Sequence, residues 1–67
     1  MIYKKLKVKI YENYGTQVAF ANKIGVSESY LSKRLNGKTP MSLQDVKTIA
    51  GALSITDTMI ATYFFNR

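Results

Sequence analysis

Between Thr16 and Leu35 the sequence TQVAFANKIGVSESYLSKRL leaves few ways to fold. At helical spacing Phe20, Ala21 and Ile24 share one face of a short helix starting near Thr16. Gly25 interrupts it, and Val26 follows as an apolar residue. Ser27 is a good N-cap for a second helix whose inner face carries Leu31 and Leu35. Helices that cross steeply need a small residue at their contact, which Ala21 supplies. The turn needs a residue tolerant of positive φ, which Gly25 supplies. The pattern predicts a helix-turn-helix over about residues 16–35, with Val26 and Leu31 plugging the second helix onto the first. A plain helical hairpin in a small bundle uses the same spacing, so other features have to separate the two readings.

The outer face of the second helix is one such feature. It is left with Ser27, Glu28, Ser29, Tyr30, Lys33 and Arg34, which are polar, basic or amphipathic. A helix displayed in this way fits the major groove of B-DNA. Charge is another. Residues 1–38 carry eight bases (Lys4, Lys5, Lys7, Lys9, Lys23, Lys33, Arg34 and Lys38) against Glu12 and Glu28. Residues 39–67 balance Lys47 and Arg67 against Asp45 and Asp57, so the whole net charge of +6 sits on the first half. One-sided charge of this kind is the footprint expected of a phosphate-binding face, although a basic surface kept for solubility gives the same total.

The remaining segments read as short helices around that pair. Over Lys4–Tyr14, Leu6, Ile10 and Tyr14 recur every four residues and are expected to face inward, with Lys5, Lys7, Lys9 and Glu12 outward. A basic amphipathic helix can also lie on a membrane, but this apolar face is narrow and lacks bulky anchors. Gly15 ends the helix and Thr16 is the expected N-cap of the next. Gly37 suits a left-handed C-cap after Asn36, and Pro40 blocks continuation. Ser42-Leu43-Gln44-Asp45 resembles a capping box, with Asp in place of the usual Glu or Gln. The helix it opens is expected to bury Val46, Ile49, Ala50 and Leu53, with Ile55 closing the core. Thr56 is the expected cap of a last helix carrying Met59, Ile60, Tyr63, Phe64 and Phe65, with Asp57 in its first turn. One or two of the closing rings are expected to cap the core. Ile60, Tyr63, Phe64 and Phe65 together form a candidate dimer patch.

A chain of 67 residues makes one domain, here residues 1–67. With no cysteine and no histidine it has neither a disulfide framework nor zinc-finger spacing. Its apolar runs are far shorter than a membrane span, and no signal-peptide pattern opens it, so a cytoplasmic protein is expected. Four scattered carboxylates and singly occurring glycines supply no catalytic constellation and no phosphate-cradling loop. Catalytic residues, metal ligands and cofactors are all expected to be absent.

Taken in register, Thr16-Gln17, Phe20-Ala21, Lys23-Ile24-Gly25-Val26-Ser27, Ser29-Tyr30-Leu31-Ser32 and Leu35-Asn36-Gly37-Lys38 resemble the lambda-repressor-like family, also called the Cro/C1-type or XRE-type helix-turn-helix proteins. The stretch LNGKTPMSLQDVKTIAGAL with its YFF ending is similar to small regulators of bacteriophages and prophages of low-GC Gram-positive bacteria. The resemblance spans essentially the whole chain and implies an all-α, compact five-helix domain. It implies that Ser27, Glu28, Ser29 and Lys33 face base edges, with a recognition helix at about 27–35. Gln17 would bind a phosphate and brace that helix, Asn36 and Lys38 would hold the backbone, and Tyr30 would touch a phosphate or a thymine methyl. Arg34 is expected near the backbone too. It departs from the family by standing where many members bury an aliphatic residue, with Leu35 taking over the core.

The chemistry of these residues is compatible with such roles. Lys33 can donate to guanine O6 and N7, and Glu28 can accept from cytosine N4, unless Glu28 only caps its helix toward solvent. Gln17, Asn36, Lys38 and the Lys4–Lys9 group would position the protein without reading sequence. The function expected is a transcriptional regulator, such as a repressor, that binds double-stranded operator DNA as a weak homodimer. The competing expectation is a protein-interaction module, antirepressor-like or antitoxin-like, that keeps the fold and acts on a regulatory protein partner.

Overall fold

A computed structural model describes residues 2–65. It contains α1 (Lys4–Tyr14), α2 (Gln17–Ile24), α3 (Glu28–Leu35) and α4 (Leu43–Ala52). A 3₁₀ turn over Asp57–Met59 and a π-helical segment over Ala61–Phe65 follow. The described residues contain no strand.

Side-chain caps start three of the four α-helices. Thr16 Oγ1 accepts from the Ala19 amide at 3.0 Å, and Ser27 Oγ from the Tyr30 amide at 3.0 Å. Ser42 Oγ accepts from the Asp45 amide while the Ser42 amide donates to Asp45 Oδ2, each at 3.0 Å, so the box closes with aspartate. The ends of α2, α3 and α4 share a second device, in which two amides beyond the helix turn back onto its last carbonyls around one left-handed residue. After α2 the amides of Gly25 and Val26 reach the carbonyls of Asn22 and Ala21. After α3 those of Gly37 and Lys38 reach Arg34 and Lys33, and after α4 those of Ser54 and Ile55 reach Gly51 and Ala50. Glycine takes the left-handed place in the first two, with φ of 80° and 76°; in the third it is Ser54, with φ of 56°.

The core gathers Leu6 and Ile10 from α1, Phe20 and Ala21 from α2, Leu31 and Leu35 from α3, and Ile49, Ala50 and Leu53 from α4. Ile55 joins them, and Val46 packs half-buried at the margin. Tyr14 tilts against Phe20 with ring centroids 4.9 Å apart and donates its hydroxyl to the Ala52 carbonyl at 2.8 Å, tying the end of α1 to the end of α4. Among the described residues no buried side-chain nitrogen or oxygen lacks a hydrogen-bond partner, and no helix is long and apolar enough to cross a membrane.

The last element starts after Thr56, where a helix is expected, but its turns are 3₁₀ and then π rather than α. The Thr56 side chain makes no capping bond, and its hydroxyl lies 3.0 Å from that of Thr58. Thr56, Thr58 and Thr62 are β-branched and lose rotamer freedom in an α-helix, which weakens the local case for one. The wider π turn carries Phe64 into the core, where it is 2% exposed.

Candidate nucleic-acid interface

Leu31 and Leu35 anchor α3 from beneath, which leaves Ser27, Glu28, Ser29 and Lys33 exposed on its outer side. Leu35 does take the core position beside Arg34, as the departure at Arg34 requires. Each edge of α3 is fastened to a neighbouring helix. On one edge Gln17 Nε2 donates to Glu28 Oε2 at 2.8 Å, joining the first turns of α2 and α3. Glu28 therefore has a partner inside the protein, and so does the Gln17 amide expected to meet a phosphate.

On the other edge, two of the residues expected at the DNA backbone are held against α4. The Tyr30 hydroxyl donates to Asp45 Oδ1 at 2.6 Å, and Arg34 Nε to Asp45 Oδ2 at 2.8 Å. The Arg34 guanidinium lies 3.5 Å from the centre of the Tyr30 ring and donates through Nη1 to the Tyr30 carbonyl at 3.3 Å. Asp45 is 8% exposed. Burial alone would raise its pKa, but the Tyr30 hydroxyl, the Ser42 backbone amide and Arg34 outweigh that and hold it down at about 2. The same hydrogen bond raises the Tyr30 hydroxyl above its ordinary value. A single carboxylate thus closes the capping box of α4 and clasps α3.

The loop after α3 is built from both sides. Asn36 Nδ2 donates to Ser32 Oγ at 3.2 Å, and Asn36 Oδ1 accepts from Lys7 Nζ of α1 at 2.9 Å. At Gly37 the φ of 76° favours glycine, and the terminal methyl of Ile2 packs where a Cβ would point. Lys38 is exposed beside it. Among the described residues Ser29, Lys33 and Lys38 have no side-chain partner in the protein. The basic half of the chain is not one stripe, however. Lys7 reaches the α3 loop, whereas the Lys9 ammonium sits 5.8 Å above the Tyr63 ring on the opposite edge of α1.

The expected dimer patch is also divided. Phe64 is core and has no surface to offer a partner. Half-buried Ile60 lies among Leu43, Val46 and Ile55, and Tyr63 lies among Val8 and Lys9. Phe65 is 71% exposed. No group of three or more carboxylates, histidines or cysteines suited to a metal occurs among the described residues.

Gln17 braces α3 as the resemblance implies, through Glu28, but the sequence did not reveal the second role of Asp45 or the contact of Asn36 with Lys7. The one available signal was that Tyr30 and Arg34, four residues apart, share an edge of α3. That edge needs an acceptor, and few carboxylates exist to supply one.

A family model described as a protein of unknown function, DUF739, matches residues 1–67, the full length of the sequence. The chain belongs to the DUF739 family. No curated protein matches it.

Proposed function

We propose that this DUF739 protein is a sequence-specific DNA-binding regulator of the Cro/C1 type. In this reading α2 and α3 form a helix-turn-helix, α3 enters the major groove, and two copies read a palindromic operator. The observation that carries the reading is the division of labour on α3. Its flanking edges are spent on Gln17 and Asp45, and the strip between them presents Ser29 and Lys33 unpartnered and in a fixed orientation. The adjoining loop, set by Asn36 and Gly37, holds Lys38 out beside that strip. Base reading falls to Ser27, Ser29 and Lys33, with Glu28 contributing through its free carboxylate oxygen. Lys38 and Lys7 neutralise phosphate. Tyr30 and Arg34 act by positioning α3.

The experiment is selection of duplexes from a random-sequence library at near-physiological salt. The expected result is a palindrome whose half-sites are centred about 34 Å apart, one helical turn. Enrichment of a lone half-site would keep the reader and remove the dimer. Failure of any sequence to enrich, with binding that fades in modest salt, would reduce the interaction to general phosphate attraction and overturn the reading.

A further inference from the structure

α1 turns two edges to solvent, and they carry different chemistry. Lys7 lies on the edge beside α3. On the other edge Lys4, Lys5, Val8, Lys9 and Glu12 border a groove closed by Thr62 and Tyr63 of the π-helical segment. Val8 is 47% exposed, and the Lys9 ammonium is held over the Tyr63 ring. The floor is therefore apolar and aromatic, and the rim sets three ammonium groups against the single carboxylate of Glu12. Lysine stems lie well along such a floor while their charged heads stay in water at the rim.

We propose that this groove docks an acidic amphipathic segment of a different protein, with an apolar side chain on Val8 and Tyr63 and carboxylates on Lys4, Lys5 and Lys9. Charge complementarity selects the occupant. A second copy meeting the same face would place its own lysines against these, and like charges brought together suppress that pairing. The described part of the chain has no acidic segment to offer either: Asp45 is held by Tyr30 and Arg34, Glu28 by Gln17, Glu12 belongs to the groove, and Asp57 stands singly beside Ile60. A duplex held by its phosphates would use the lysines but leave the apolar floor between them unfilled. The apolar strip of the groove, one exposed valine beside one tyrosine ring, is too small to anchor a bilayer. The inference does not rest on the DNA reading, since it concerns the edge of α1 away from α3.

The test is selection of short random peptides displayed on phage against the full chain. Enriched peptides are then measured by fluorescence anisotropy on the wild type and on Val8→Glu, Lys5→Glu/Lys9→Glu and Lys33→Glu. The substituted side chains are outside the core, and helical circular dichroism checks that each variant folds. Expected are peptides pairing Leu or Phe with Asp or Glu. They should lose about tenfold or more in affinity on Val8→Glu and on the double reversal, and keep it on Lys33→Glu and in the presence of duplex DNA. The proposal is overturned if no peptide enriches, if the winners lack acidic residues, or if the groove variants bind them equally well. It is also overturned if duplex DNA or Lys33→Glu displaces them, or if the groove variants instead abolish self-association of the chain. Duplex selection is a separate measurement, so either proposal can fail alone.

Discussion

Ser54 occupies a left-handed backbone position with φ of 56°, where the other two helix ends of the same design use glycine. An L side chain in that region carries a cost of about 1 kcal/mol, and here it is met because the Ser54 and Ile55 amides close the end of α4 and bring Ile55 into the core. Ser54→Gly removes the clash between Cβ and backbone but adds freedom to the unfolded chain, and the first effect wins by about 0.5 kcal/mol. Thermal unfolding should therefore move up by a few degrees, against a domain of this size shifting about 4–8 °C per kcal/mol. An unchanged or lowered midpoint would mean that Ser54 is unstrained. At Gly37 the same substitution class runs the other way. Gly37→Ala adds a Cβ at positive φ, while the terminal methyl of Ile2 can move aside, so a loss of about 1 kcal/mol is expected on chemical denaturation.

Among the elements, the seating of α3 on α4 depends most on one side chain. The folded pKa of Asp45, at about 2, lies below the ordinary carboxylate value, so the charged form is what the fold stabilises. The clasp contributes fully above about pH 4, and its contribution is lost as pH falls toward 2. Asp45→Asn should lower stability at neutral pH by about 2 kcal/mol, because the Arg34 guanidinium then faces an amide, and should flatten the wild-type decline between pH 4 and 2. Acid titrations of both proteins followed by circular dichroism check this; parallel curves would assign the decline to other carboxylates. The division between positioning and contacting residues has its own measure on DNA. Lys38→Ala should shallow the dependence of log affinity on log salt by about one, whereas Arg34→Gln should lower affinity for the selected site with little change in that slope. Equal slope changes would place Arg34 on a phosphate.

Helix limits were legible in the sequence because their causes are local. Thr16, Ser27 and Ser42 cap residues three positions on, and Gly25 and Gly37 close helices through amides within five positions. The clasp was hidden because it joins Tyr30 and Arg34 to Asp45 across the space between two helices, and a capping-box aspartate gives no hint of a second duty. The Lys7–Asn36 bond spans 29 residues and Tyr14–Ala52 spans 38, beyond any local pattern. The closing segment is helical where expected, but the spacing of Ile60, Tyr63 and Phe64 gives no sign that its turns are 3₁₀ and π. The demand for Phe64 inside the core widened its turn.

For the molecule as a whole, that demand means α1 is covered from the far end of the described chain. Phe64→Ala should remove about 3–4 kcal/mol, a large share of what a small domain has, and chemical denaturation should show the whole protein failing together. A transition confined to the last element would show that the core closes without it. The position of Phe64 also sets a schedule. Helical domains fold within microseconds to milliseconds, while a ribosome adds only about 5–20 residues each second. Leu6 and Ile10 of α1 are made early and must wait, for some seconds, until the ring at position 64 has emerged to complete the core around them. During that wait the nascent chain leaves open the apolar surface that Phe64 later covers, and a chaperone or a partner would find it there to hold.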